Sequence, residues 1–485
     1  MSRTVQQQHV IDTVKREDVS LVKVKAVAGA GKTFTLVELA KELQPTKGLY
    51  LAYNKAIAEE ATQKFKGTNM QCSTIHSLAY NAVVRQQGLK VGFFGVRNVV
   101  PSIAPYLIRR EVVDTLEDFF LSSHIDIQQY LNNTDASSDV KLLCLDNLNR
   151  MANGEIHCGH SFYLKLYHIL ISNNAIPVPS VDVLMADEFG DISELTLDIF
   201  KRIKAPKKIA VGDPLQNIYS FNKTINAFNA LEAAGISANL TESFRVSAPI
   251  AKDIENFVRA YIDPSFLFKG REYPKDTPII TRGYIARNNS GLLEEMFRLK
   301  TELTRFHTTR RIDTILELPL VLANLGNGKP IEDFKYKHIE KLRKEYEKSP
   351  VLKKKFMSVG TYVRKMNKED AELQSAFNTV LIHSPRELNA LAKYARECAK
   401  SECNLTLTTA HSSKGLEFSA VEIAPDLNES TSKALYELKL IKIENAAQRN
   451  IQLNKLEEEL RLYYVACSRA MIELTNATCF PKVLT

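Results

Sequence analysis

The sequence predicts an α/β protein built on parallel sheets, and three strand-to-loop junctions predict it. The first is the apolar run Leu21 to Val27, which passes through Ala26-Val27-Ala28-Gly29-Ala30-Gly31-Lys32-Thr33 into the helix-compatible stretch Phe34 to Leu43. The second is Val181-Asp182-Val183-Leu184-Met185-Ala186, a buried-strand pattern that ends in Asp187-Glu188. The third is Lys208-Ile209-Ala210-Val211, which runs into Gly212-Asp213-Pro214-Leu215-Gln216-Asn217-Ile218-Tyr219-Ser220-Phe221. Parallel sheets gather ligand sites at the carboxyl ends of their strands, so polar residues at three such ends point to one shared site.

The first junction has the chemistry of a phosphate cradle. Small residues from Ala28 to Gly31 let backbone N–H groups approach a polyphosphate, the Lys32 ammonium reaches its outer phosphates, and the Thr33 hydroxyl can ligate Mg²⁺. The strict pattern asks for glycine where this chain has Ala26. A dinucleotide fingerprint is disfavoured, because its third glycine would fall on Phe34. The second junction supplies a carboxylate pair: Asp187 to hold the metal and Glu188 to activate an attacking water.

Length and charge bound the surroundings of that site. At 485 residues the chain has room for two or more domains, and a formal charge of +8 suits a polyanionic partner. Seven cysteines without a C-x-x-C pair read as reduced, intracellular residues. His157-Cys158-Gly159-His160 lacks a second ligand pair at zinc-site spacing and reads as a polar loop. The first ten residues are polar and no apolar run reaches 18 residues, so no signal peptide or membrane span is expected.

Taken with further motifs in order, the chain resembles the UvrD/Rep/PcrA class of superfamily 1 helicases. Gln6, in Val5-Gln6-Gln7-Gln8-His9-Val10, is similar to the family's adenine-reading glutamine. Tyr53-Asn54-Lys55-Ala56 and Ser73-Thr74-Ile75-His76-Ser77 resemble its first DNA-contacting motifs. Leu240-Thr241-Glu242-Ser243-Phe244-Arg245 resembles the motif that brings an aromatic to the adenine and an arginine to the γ-phosphate. Thr409-Ala410-His411-Ser412-Ser413-Lys414-Gly415-Leu416-Glu417-Phe418 and Arg461 to Ala470 match the two late motifs, the second carrying the arginine finger at Arg469. Within the class the chain is most similar to the helicase portion of the F-box DNA helicase group, on Tyr53 to Glu60, His160-Ser161-Phe162-Tyr163-Leu164-Lys165 and Asp370-Ala371-Glu372-Leu373. The expectation is of a motor without an F-box or a role in ubiquitin ligation.

The resemblance implies two RecA-like parallel-sheet domains of the P-loop NTPase type with mostly helical insertions. Residues 1–85 and 161–275 are expected to form the ATP-binding domain, 86–160 its helical insertion, 276–290 and 400–485 the second domain, and 291–399 a reduced accessory insertion. Pro278-Ile279-Ile280 and Leu405-Thr406-Leu407 are candidate strands of the second domain. The basic stretch from Lys335 to Lys348 with Lys353-Lys354-Lys355 is either a solvated helical face or a DNA-backbone contact.

The implied cofactors are ATP and Mg²⁺. The implied catalytic residues are Lys32, Glu188, Gln216, Arg245 and Arg469, with Gln6, Ala28, Gly29, Ala30, Gly31, Lys32, Thr33, Phe244, Gly415 and Glu417 around the nucleotide and Thr33 and Asp187 on the metal. The implied DNA contacts are Tyr53, Asn54, Thr74, His76, Tyr219, Phe221, Thr409 and His411, although Tyr219 and Phe221 also suit a core aromatic pair. The expected activity is ATP-dependent movement 3′ to 5′ on single-stranded DNA with unwinding of duplex, in DNA replication, repair or recombination, by a monomer that engages single strands and single-strand/duplex junctions. The expected location is cytoplasmic or nucleoid-associated, or nuclear in a eukaryote. A translocase that strips proteins from DNA with little unwinding, and an ATPase subunit of a defence or signalling complex, are the alternatives. Two departures stand out: Gly190 replaces the glutamine of Asp-Glu-x-Gln-Asp, and Phe221-Asn222-Lys223 replaces Trp-Arg-Gly in a chain that has no tryptophan.

Overall fold

The computed structural model describes residues 2–218, 224–231, 235–326, 371–440 and 446–481. The chain forms two compact units, one up to Phe244 and one from Arg245 onward. Among the described residues no helix is long and apolar enough to cross a membrane.

The first unit is organised by a six-stranded sheet of β1 (Leu21–Ala26), β2 (Gly48–Ala52), β3 (Met70–Thr74), β4 (Val183–Ala186), β5 (Lys207–Gly212) and β6 (Ile236–Leu240). Its order is β3-β2-β4-β5-β1-β6, and every pairing is parallel. β2 and β4 are buried along their whole length, the pattern of strands covered on both faces. β5 lies between β4 and β1, with Ala186 opposite Ala210 and Lys25 opposite Gly212. The three junctions singled out in the sequence therefore emerge side by side at the carboxyl ends of three adjacent strands.

The stretch between β3 and β4 carries the helices Tyr106–Leu121, Ile127–Asn132 and Ser138–Ala152. Phe119, Phe120 and Phe162 join one continuous core with Leu49, Leu51, Leu184 and Ala186 of the sheet. Phe120 meets Phe162 edge-on at 5.7 Å between ring centroids, an arrangement that aromatic quadrupoles favour.

The second unit holds a parallel five-stranded sheet of β7 (Arg282–Ala286), β8 (His307–Thr308), β9 (Leu405–Thr409), β10 (Phe418–Ile423) and β11 (Ala470–Thr475), in the order β8-β9-β7-β10-β11. Leu405-Thr406-Leu407 falls on β9 as expected, whereas Pro278-Ile279-Ile280 does not form its predicted strand. Proline has no N–H for a ladder and Ile280 is 68 % exposed; the strand begins at Arg282 and buries Gly283 to Ala286.

Two expected boundaries also shift. The helix Ala248–Tyr261, placed by sequence in the first domain, packs in the second unit, where Phe257 lies 5.2 Å from Tyr463 and 6.0 Å from Phe480. The described helices of the expected 291–399 insertion do not stand apart. Leu292, Met296, Ile315, Leu316, Leu388 and Leu391 share a core with Tyr284 and Leu407 of the sheet. The basic stretch from Lys335 to Lys355 lies outside the described residues.

Candidate nucleotide and nucleic-acid sites

The phosphate loop is set by backbone geometry. Gly29 and Gly31 have φ of +74° and +73°, a left-handed conformation that costs glycine little and other residues much. Gly31 caps the helix Lys32–Leu43 without a side-chain acceptor, leaving first-turn N–H groups available to an anion. Ala26, which departs from the strict motif, ends β1 buried at 2 % exposure and paired with Leu240, so it has no need of glycine's freedom.

The acidic pair closes around this loop. The Lys32 ammonium forms an ion pair with Glu188 Oε1. Burial by itself pulls Lys32 below its ordinary value, but Glu188, Asp187 and Asp213 outweigh it and the net shift is upward. The Thr33 hydroxyl lies 3.3 Å from Asp187 Oδ2, and the Tyr50 hydroxyl donates to the same oxygen at 2.8 Å. Burial pushes the Asp187 carboxyl up, with Lys32 pulling against it and Glu188 adding to it. Glu188 adopts φ +54°, a strained backbone for a residue with a Cβ. A hydroxyl and a carboxylate in contact are oxygen donors of the type Mg²⁺ takes beside phosphate oxygens, so Thr33 and Asp187 fit the ion.

Gly190 has a steric reason to be glycine. A Cβ there would stand 2.6 Å from the Asp213 carbonyl oxygen, and one on Gly212 would stand 2.8 Å from the Gly190 nitrogen. The loops after β4 and β5 thus approach backbone to backbone. They are tied by the Asn217 amide donating to the Gly190 carbonyl at 3.1 Å, while Gln216 donates to Asp213 Oδ2 at 2.9 Å.

At the other end of the loop, Ser243 donates to the Ala28 carbonyl at 2.8 Å and the Phe244 N–H to that of Gly29 at 2.9 Å. This seats the Phe244 ring, 44 % exposed, beside Gly31. The amide expected to face the base at Gln6 is engaged elsewhere: Gln6 Nε2 donates to Thr241 Oγ1 and Gln6 Oε1 accepts from the Thr241 N–H, both at 2.8 Å. Gln7 is the residue that sequence reasoning missed. It is 2 % exposed, its Nε2 has no hydrogen-bond partner among the described residues, and a Cβ on Gly31 would lie 3.2 Å from that nitrogen. The signal was the helix phase: Val10, Ile11 and Val14 are buried, and Gln7 sits one turn before them on the same face.

In the second unit, Arg245 donates to Glu417 Oε1 at 2.6 Å and to the Ser468 carbonyl at 3.2 Å, and its own carbonyl accepts from the Tyr273 hydroxyl at 2.6 Å. Arg469 is 2 % exposed and donates to the Val465 carbonyl at 2.9 Å, the Ser468 hydroxyl at 2.9 Å and the Leu416 carbonyl at 3.5 Å. The two arginines and Glu417 are thereby gathered around Leu416 and Ser468. Gly415, at φ +85°, makes the turn that brings Glu417 there.

The expected DNA contacts fall into three groups. Tyr53 is 55 % exposed at the end of β2, and His76 is exposed after β3. Asn54, Thr74 and Thr409 spend their side chains locally: Asn54 Oδ1 accepts from the Ile57 N–H at 2.9 Å, Thr74 Oγ1 from the Ser77 N–H at 3.0 Å, and Thr409 Oγ1 from the Ser412 N–H at 3.4 Å. These caps shape the turns from which His76 and His411 project. Tyr219 and Phe221 lie outside the described residues.

With this geometry in hand, the family comparisons are direct. An AAA domain model matches residues 6–222, and the UvrD-like helicase C-terminal domain model matches residues 185–479. The F-box DNA helicase protein 1 of Schizosaccharomyces pombe is 27% identical over 498 residues, covering 93% of this chain and 54% of that protein. The F-box DNA helicase 1 of Gallus gallus is 28% identical over 279 residues, covering 51% of this chain and 27% of that protein. The chain thus spans about half, or less, of the length of the curated relatives it matches.

Proposed function

The chain belongs to the UvrD-like helicases, and from that premise we propose that it binds ATP with Mg²⁺, hydrolyses it, and uses the cycle to move 3′ to 5′ along single-stranded DNA and open duplex ahead of it, as a monomer. The observation that carries the reading is the grouping of Lys32, Thr33, Asp187 and Glu188 around the Gly29-to-Gly31 turn, with Gln7, whose Oε1 accepts from the Thr4 N–H and whose Nε2 has no partner among the described residues, beside it.

When bound, Mg-ATP supplies the phosphoryl group whose transfer to water drives the cycle. Each residue role follows from its chemistry. The loop N–H groups and Lys32 bind phosphate, and Lys32 exchanges its ion pair with Glu188 for it, leaving the Glu188 carboxylate to take a proton from water. Thr33 and Asp187 hold the metal. Gln7 and Phe244 orient the base, one by its amide and the other by its ring face. Arg245 and Arg469 add positive charge to the outermost phosphate, where it counts most in the transition state. Gln216, bonded to Asp213, relays changes at the phosphate end into the loop after β5. Tyr53, His76, His411, Tyr219 and Phe221 contact DNA largely without regard to sequence, since stacking and backbone contacts carry little base information.

Partial duplexes with a single-stranded tail on one side test the reading. Unwinding that requires ATP and a 3′ tail is the expected result, and unwinding from 5′ tails alone overturns the polarity. Displacement of streptavidin from a biotinylated strand without duplex opening would replace unwinding by protein stripping.

A further inference from the structure

The run His160-Ser161-Phe162-Tyr163-Leu164-Lys165 begins the helix His160–Ser172, away from the phosphate loop. Its Tyr163 is 3 % exposed and sits at the centre of a ring cluster. His160 packs edge-on against it at 5.6 Å between centroids, Tyr80 at 5.9 Å and His76 at 6.1 Å, with interplanar angles of 80°, 83° and 90°. His160 Nδ1 and the Tyr163 hydroxyl are 3.0 Å apart, and His76 and His160 face each other at 6.4 Å. One buried tyrosine therefore holds three rings, and all three are exposed to solvent.

The backbone is shaped for this display. Tyr80 opens a single π-helical turn, Tyr80–Val84, between the short helix Ile75–Ala79 and Arg85–Gln87. Such turns shift side-chain phase by one position and occur often at functional sites. Arg85 leans over the Tyr80 ring with its guanidinium carbon 6.0 Å from the centroid. A purely structural cluster would bury its rings; this one buries only the hub.

We propose that His76, Tyr80 and His160, presented by Tyr163, form a second ledge for single-stranded DNA, in which a base stacks on Tyr80 and the adjoining phosphate sits at the imidazole pair, so that grip tightens on acidification. The proposal rests on the DNA-motor reading, with His76 as the shared residue. Aromatic stacking with a nearby guanidinium is the chemistry of sequence-tolerant single-strand binding. Desolvation by the rings packed against one side of the otherwise exposed His76, and after it the neighbouring His160, hold its imidazole below its ordinary value. A phosphate placed there favours the protonated form, and binding then takes up a proton. The groups facing the pair are Tyr163 from the same helix as His160, and Tyr80 and Arg85 from the π-turn and its sequel.

The test is fluorescence anisotropy of a labelled oligo-dT strand on the full chain at pH 7.5 and 6.0, at fixed salt, with the melting temperature of each variant checked. Wild type is expected to bind several-fold more tightly at pH 6.0. Tyr80→Ala is expected to lose on the order of tenfold in affinity at both pH values, the loss of one stacked base. His76→Gln is expected to lose most of the pH response, and Tyr163→Phe, which keeps the hub ring, to retain the stacking. Full affinity in Tyr80→Ala together with an unaltered pH response in His76→Gln overturns the ledge while leaving the motor intact. Failure of wild type to bind the strand at either pH overturns the motor reading itself.

Discussion

Lys32 in the first unit and Arg469 in the second are both withdrawn from water, and they are held in opposite ways. Lys32 pairs with Glu188, so two groups proposed for the chemistry neutralise each other until phosphate displaces the carboxylate. Arg469 is held through the carbonyl oxygens of Val465 and Leu416 and the Ser468 hydroxyl, at distances from 2.9 to 3.5 Å. An ion pair of this kind couples the state of one partner to the other. Carbonyl and hydroxyl contacts position a cation without cancelling its charge. The phosphate loop is thus a site whose base is freed by what it binds, whereas Arg469 is a cation fixed in place by carbonyl and hydroxyl oxygens.

The largest effects are expected where that coupling is broken. Lys32→Ala and Glu188→Gln should each reduce hydrolysis by on the order of 10³-fold or more, but they should part in binding. Removing Lys32 leaves Glu188 and Asp187 facing each other without their cation, so a fluorescent ATP analogue should bind much more weakly. Gln at 188 keeps the shape and releases Lys32 for phosphate, so its affinity should equal or exceed that of wild type. Equal, severe loss in both variants would mean that the ion pair is structural only.

Next comes the other side of the comparison. Arg469→Ala should lower kcat by on the order of 10³-fold with a smaller change in KM, because a cation of this type acts mainly on transition-state charge. Three oxygen acceptors are left behind in the core, so the melting temperature should also fall; Arg469→Lys should recover the stability better than the rate. A near wild-type kcat in Arg469→Ala would remove that residue from the phosphate chemistry.

A smaller effect separates two adjacent glutamines. Gln7→Ala should reduce discrimination between ATP and GTP by about tenfold in competition for hydrolysis, the worth of one buried hydrogen bond. Gln6→Ala, which releases only Thr241, should leave the discrimination unchanged. The reverse outcome would return the base contact to Gln6.

The smallest effect uses Lys165, a third withdrawn cation, held like Arg469 on carbonyls: those of Ser122, at 2.9 Å, and His124. Burial pushes its ammonium down to about 7, against the opposing pull of Asp198 and Glu194. Its unfolded value is 10.5, so between about pH 7 and 10.5 the unfolded chain carries a proton that the folded chain lacks, and stability rises with pH across that window. The urea midpoint of the wild type should therefore be higher at pH 9.5 than at pH 7.5, with the difference diminished in Lys165→Met. A wild-type midpoint that falls over this range would show the amine to be charged in the fold.

How much of this was legible depends on whether the determining contact is local. Lys32, Asp187 and Asp213 were readable because each follows an apolar strand, Lys32 across the glycine turn and the two aspartates directly, and parallel pairing of β4, β5 and β1 turns three such endings into one site. Gln7 was hidden among three consecutive glutamines that differ only in helix phase. Gly190 looked like a lost amide and is instead a point of backbone contact, set by a residue 23 positions away, Asp213. The helix Ala248–Tyr261 follows the Phe244 motif in sequence, but its allegiance is decided by Phe257 against Tyr463, some two hundred residues further on. Long-range packing of that kind leaves no trace in local periodicity.

The most direct test of the central claim is the steady-state rate of ATP hydrolysis by the full chain, with and without single-stranded DNA, for wild type and Glu188→Gln side by side. The account predicts a wild-type rate that rises many-fold on adding DNA, and a Glu188→Gln rate that stays near zero in both conditions while ATP binding persists. Hydrolysis indifferent to DNA, or undiminished in Glu188→Gln, would contradict it.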